Sequence, residues 1–82
     1  MTLHAGQHIA FSGHFLEPRA ALVARAEAAG LLVDPSVTER TDVVVANDAG
    51  SGSPAVRAAI AHGIPLVDEY SFDDLLSASV GG

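Results

Sequence analysis

The sequence predicts a single α/β domain built on a short parallel sheet flanked by helices. Four brief apolar runs alternate with amphipathic stretches of helical spacing. One of these runs, Val43-Val44-Val45-Ala46, is β-branched and apolar on both faces, as a strand buried between two helical layers must be. The chain has 82 residues, 49% hydrophobic and 17% charged, which is globular composition on the scale of one domain.

Residues 8–11 (His-Ile-Ala-Phe) form the first strand, stopped by Ser12-Gly13. Pro18 suits the first turn of a helix, where its missing N–H costs nothing. Leu22, Val23, Ala26 and Ala29 recur at helical spacing, and Gly30 sits where a left-handed C-terminal cap belongs. Leu31 to Val33 restart an apolar run, so residues 8–33 read as a strand–helix–strand unit, parallel and right-handed. Pro35 and the polar stretch Thr38 to Asp42 connect it to the Val43 strand. At about nine residues this connection is short for a parallel crossover.

Asn47 to Gly52 reads as a loop, and Ser53-Pro54 opens a second helix by cap and first-turn chemistry. Val56, Ala59 and Ile60 make its expected inner stripe, and Gly63 ends it. Ile64 to Val67 is the fourth strand. Ser71, with Asp74 three residues on, is the expected cap of a last helix that turns Phe72, Leu75 and Leu76 inward. The expected boundaries are a lead-in over 1–6, the domain over 7–77 and a disordered tail over 78–82.

Composition narrows the function classes. The chain has no cysteine, which excludes disulfides, thiolate metal sites and a cysteine nucleophile. No apolar run approaches the roughly 18 residues that cross a bilayer, and no basic-then-apolar leader precedes the first strand. The expectation is a cytoplasmic domain excised from a longer protein, with any enzymatic chemistry in a neighbouring domain. Arg19, Arg25, Arg40 and Arg57 are the only basic side chains besides histidine, against ten acids, for a net charge of −6. Nonspecific duplex binding draws on phosphate neutralisation, so broad DNA coating is disfavoured while a local site for one terminal phosphate is not.

His4 and His8 share the i,i+4 interval but not a helix, and with His14 and His62 they make no metal signature. Gly50-Ser51-Gly52 lacks the third glycine of a dinucleotide fingerprint. A phospho-receiver with Asp48 as acceptor would need a fifth strand and a lysine. Asp68, Glu69, Asp73 and Asp74 read as acids favouring the dipole of the last helix. No catalytic residue and no cofactor is expected.

Several residues carry a family resemblance. They are Gly6-Gln-His-Ile-Ala-Phe-Ser-Gly13, Pro18-Arg19, Ala29-Gly30, Ser36-Val-Thr, Thr41-Asp-Val-Val-Val, Ser53 with Arg57-Ala58, and Gly63-Ile-Pro-Leu-Val-Asp-Glu69 with Phe72 and Leu75-Leu76. In order and spacing they resemble a BRCT domain, from about Gly6 to Leu76. The likeness is greatest to the bacterial subclass found in NAD-dependent DNA ligases and in some proofreading-type (DEDD) exonucleases. The resemblance implies a four-stranded parallel sheet of order 2-1-3-4, with the first and third helices on one face and the second on the other. One departure is the absence of tryptophan, which most eukaryotic members carry in the last helix. Here Phe72 stands in that place.

A hydroxyl and a free N–H at a strand-to-helix junction can hold a phosphate oxygen, and Ser12-Gly13 offers both. Phosphate-binding members use a matching Ser/Thr-Gly pair. The plain alternative is a tight turn that needs glycine. Arg19 presents a planar fork suited to phosphate, and members that bind a DNA 5′-phosphate carry an arginine near this place. The plain alternative is a solvated arginine paired with Glu17. Ser53 opens the second helix at the same mouth, with Ser51 as a further hydroxyl. The lysine that phosphate-binding members place nearby is replaced by Pro54, leaving Arg57 as a partial substitute. A plain helix cap is the other reading of Ser53.

The resemblance therefore implies a non-catalytic BRCT module of a bacterial DNA replication or repair protein, nucleoid-associated. It would dock on DNA ends, including 5′-phosphorylated ones, or on repair and replication proteins, through Ser12, Gly13, Arg19, Ser53 and Arg57. The alternative is a phosphate-independent protein-interaction or self-association module, with a weak homodimer as its sign.

Overall fold

The computed structural model describes residues 3–48, 50 and 52–80, with backbone alone for 78–80. The chain runs β1 (His8–Phe11), α1 (Arg19–Ala28), β2 (Leu32–Val33), β3 (Val43–Val45), α2 (Pro54–Ala61), β4 (Leu66–Val67) and α3 (Glu69–Val80). The four strands form one parallel sheet of order β2-β1-β3-β4. Ile9, Ala10 and Phe11 lie opposite Val43, Val44 and Val45, and His8 and Ile9 lie opposite Leu32 and Val33.

Alternation along these strands divides the core into two layers. Ile9, Phe11, Val43 and Val45 face Leu22 and Ala26 of α1 and Phe72 and Leu76 of α3. Ala10, Val44 and Ala46 face Val56 and Ala59 of α2 together with Ile64. The expected sheet order and the expected division of the helices between its faces are both found. Phe72 is fully buried and meets Phe11 edge-to-face, with ring centroids 5.3 Å apart, and Phe11 meets Phe15 at 5.9 Å in the same manner.

The short connection from β2 to β3 works because β1 lies between the two strands it joins. It passes over the α2 face of β1, where Val37 packs into the second layer. Polar residues hold it there. The Asp34 carboxylate accepts from the Thr41 hydroxyl at 2.9 Å and lies 2.9 Å from His8 Nδ1. The buried Thr41 oxygen accepts from the Thr38 N–H at 3.0 Å. His8 N–H reaches the Asp42 carboxylate at 2.8 Å, and Asp42 N–H reaches the His8 carbonyl at 2.8 Å.

Several local expectations need correction. Pro18 is the residue before α1, with Arg19 as its first helical residue. Ile60 is 66% exposed, because Ile64 folds back through the Gly63 turn and fills the expected place. The Ile64 N–H donates to the Ala59 carbonyl at 2.8 Å. The cap of α3 is Asp68, which accepts from the Ser71 N–H at 2.7 Å, so Ser71 stands one turn inside the helix. Within the expected lead-in, Leu3 is buried and the Gly6 N–H donates to the Gly30 carbonyl at 2.8 Å, while Met1 and Thr2 lie outside the described residues. Gly30 has φ +85°, and an added Cβ would come within 2.8 Å of the Ala5 Cβ, so glycine is required on two grounds. At the other end α3 runs to Val80, and Gly81 and Gly82 of the expected tail lie outside the described residues. Ser51 lies outside the described residues.

Candidate functional site

The loop from Ser12 to Pro18 carries the candidate site, and its shape is set by a side chain far away in sequence. Glu69 is 7% exposed and receives the Leu16 N–H at 2.7 Å and the Glu17 N–H at 3.0 Å, one on each carboxylate oxygen. Asn47, just after β3, donates to Glu69 at 3.0 Å and accepts the Glu69 N–H at 2.8 Å. The Asn47 amide also reaches the His14 carbonyl at 3.3 Å. Arg25 bridges Glu17 and Asp73 at 2.6 and 2.7 Å, tying the same loop to α1 and α3. The loop is thus held in place before any ligand arrives.

Glu69 was expected only to favour a helix dipole, and its organising role is the main omission of the sequence reading. The available signal was indirect: a loop between strand and helix has N–H groups that need acceptors. The Asn47 amide is the chief cause of the lowered Glu69 pKa, and the Leu16 and Glu17 N–H groups and the Arg25 charge act in the same direction against burial. The Ser71 backbone N–H, followed by its hydroxyl, lowers the Asp68 pKa. Both carboxylates therefore hold a proton more weakly in the folded chain than in the unfolded one. The stability they contribute is present above their unfolded pKa values and lost as pH falls through the folded ones. The thermal midpoint is expected to hold from neutral pH to about 5 and to fall below roughly pH 4. Glu69→Gln should begin with a lower midpoint at neutral pH and lose less on acidification. An acid profile parallel to that of the parent chain would contradict this role.

At the carboxyl end of β1, Ser12, Gly13 and Arg19 line one cavity of about 340 Å³, with Ser36 on the connection and Pro54 and Ala58 on α2. Arg19 Nη2 donates to the Phe11 carbonyl at 2.9 Å, which stations the guanidinium over the strand end. The expected partner Glu17 is engaged by Arg25 instead. The Ser12 N–H is spent on the Val45 carbonyl at 2.9 Å, whereas the Ser12 hydroxyl and the Gly13 N–H bond no other described residue. Gly13 has φ +85° and open space around it, so the backbone conformation, not crowding, calls for glycine.

Ser12 and Gly13 also form the wall of an adjoining cavity of about 240 Å³, with His14, Asp48 and Ser53. Ser53 Oγ accepts from the Val56 N–H at 3.3 Å and caps α2. The Asp48 carboxylate makes this second cavity unfavourable for an anion. Arg57 is exposed on α2 and lines neither cavity. Of the five candidate residues, Ser12, Gly13 and Arg19 converge, Ser53 stands next door, and Arg57 is apart. Among the described residues no cluster of three or more His, Cys, Asp or Glu is placed to hold a metal ion, and no helix is long and apolar enough to cross a membrane.

Comparison with known proteins agrees with this architecture. The chain is 50% identical over 66 residues to a DNA ligase of Cereibacter sphaeroides, covering 79% of this chain and 9% of the ligase. It is 42% identical over 73 residues to a DNA ligase of a Ruegeria species, covering 88% of this chain and 10% of that one. It therefore spans about a tenth of the length of these relatives. A family model for the BRCA1 C Terminus (BRCT) domain matches residues 1–76. With that match over nearly the whole chain, and with the 2-1-3-4 parallel sheet and its three helices, the chain belongs to the BRCT family.

Proposed function

We propose that this domain is a non-catalytic docking module of a bacterial DNA replication or repair protein, and that it receives one terminal phosphate of a DNA end. The observation that carries this is one cavity holding a stationed guanidinium together with a hydroxyl and an N–H that bond no other described residue. Arg19 uses one N–H on the Phe11 carbonyl and keeps others for a phosphate oxygen. Gly13 offers an N–H donor and Ser12 a hydroxyl, which together suit a tetrahedral anion. The relatives named DNA ligases support placing the parent protein in DNA replication or repair.

The same cavity limits affinity. Pro54 contributes no donor, and Arg19 is the one cation among the lining residues. Ser53 serves the helix cap and Arg57 adds positive potential from a distance. Recognition should therefore depend on a dianionic terminus more than on the length of duplex.

The test is fluorescence anisotropy at low salt with a recessed duplex end, with and without a 5′-phosphate. The phosphorylated end should bind about tenfold tighter, equivalent to roughly 1.4 kcal/mol. The logarithmic salt slope should be shallow, about −1 to −2, because few phosphates are neutralised. Equal affinity for the two ends, or binding to neither, overturns the proposal.

A further inference from the structure

A third cavity, of about 530 Å³, lies apart from the phosphate cavity and shares no lining residue with it. It is a groove between the β1–α1 loop and the first turn of α3. Leu16 and Tyr70 line it, 96% and 76% exposed. Leu16 and Tyr70 line the same groove, so they form a paired apolar surface there and not one scattered exposed residue. Glu69 fixes the backbone of Leu16, from which the side chain projects outward. The groove also carries Glu17, Asp68, Glu69 and Asp73. Glu69 is buried with both oxygens taken, and Glu17 and Asp73 share Arg25, so the groove offers the exposed Asp68 carboxylate and the net negative charge of the cluster.

We propose that this groove is a docking surface for a cationic segment of a partner protein. The segment would lay an apolar side chain against Leu16 and Tyr70 and direct arginine or lysine to the carboxylates around them. The charge of the groove selects this occupant. A nucleic acid backbone would be repelled by the carboxylates. A second copy meeting through the same patch would set Asp68 and Asp73 against their own counterparts, and the chain as a whole carries −6. An arginine-bearing segment would meet the exposed Asp68 carboxylate and the net negative charge of the groove, and the exposed Tyr70 ring adds a face for a guanidinium. The inference does not depend on the phosphate site. Together the two would give the domain an anion-reading face and a cation-reading face.

The experiment uses the whole chain and a short fluorescent peptide of alternating arginine and leucine, with an arginine–serine peptide of equal charge as control. The leucine-containing peptide should bind about tenfold tighter than the control. Leu16→Ser should remove that advantage, while Ile60→Ser, an exposed apolar residue on α2, and Arg19→Ala should leave it intact. Since Leu16 is almost wholly exposed, its replacement should not disturb folding, which circular dichroism checks. Equal binding of the two peptides, or an unchanged affinity in Leu16→Ser, would reduce the interaction to general charge attraction and overturn the proposal. Sedimentation showing a dimer that Leu16→Ser abolishes would overturn it too, by making a second copy the occupant.

Discussion

Phe72→Ala is expected to cost about 3–5 kcal/mol, the usual range for removing a buried phenylalanine. Phe72 is fully buried in the layer formed by β1, β3, α1 and α3, and its edge-to-face contact with Phe11 links α3 to the strand that carries the site. A chain this size has roughly 4–12 kcal/mol of total stability at 0.05–0.15 kcal/mol per residue. The substitution therefore removes about a quarter or more of it. Where the variant still folds, its thermal midpoint should fall by about 12–40 °C. Phe72→Leu, which keeps most of the apolar volume, should lose much less. Thermal or denaturant unfolding by circular dichroism reads both. A midpoint in Phe72→Ala within a few degrees of the parent chain would contradict the packing described for α3.

Arg19→Ala is expected to abolish the preference for a 5′-phosphorylated end, a change of about tenfold. The fold should be unaffected, since Arg19 is exposed and its side chain bonds only the Phe11 carbonyl among the described residues. Arg19→Lys should restore part of the preference, because an ammonium supplies charge but not the planar fork. Arg57→Ala should weaken both duplexes slightly and equally, since it lines neither cavity. If Arg57→Ala erased the preference and Arg19→Ala kept it, the site would be misplaced.

What was legible in the sequence was what neighbouring residues decide together. Val43 to Val45 read as a buried strand because β-branching and two-sided apolarity are local properties. Leu22 and Ala26 read as the inner face of α1 for the same reason. What was not legible depends on contacts between distant positions. The short passage from β2 to β3 makes sense once His8 and Asp42, 34 residues apart, are seen to bond. Glu69 meets Leu16 across 53 residues, and nothing in its immediate surroundings distinguishes it from its acidic neighbours. Ile60 misled because helical spacing says which residues share a stripe, but not that Ile64 would take the inner place. That Ser12, Gly13 and Arg19 line one cavity was legible because they lie at the end of one strand and the start of the next helix. The partner of Arg19 was not, since Glu17 is nearer in sequence but is committed to Arg25.

The central claim is that one terminal phosphate sits among Ser12, Gly13 and Arg19. The most direct measurement is an amide chemical-shift map of the ¹⁵N-labelled chain, titrated with the recessed duplex in its phosphorylated and dephosphorylated forms. The Gly13 amide and the Arg19 side-chain N–H should move with the phosphorylated duplex and stay with the other, while Leu16 and Tyr70 stay in both. Shifts that ignore the phosphate, or that fall on the Leu16–Tyr70 groove with Gly13 unmoved, would contradict the account.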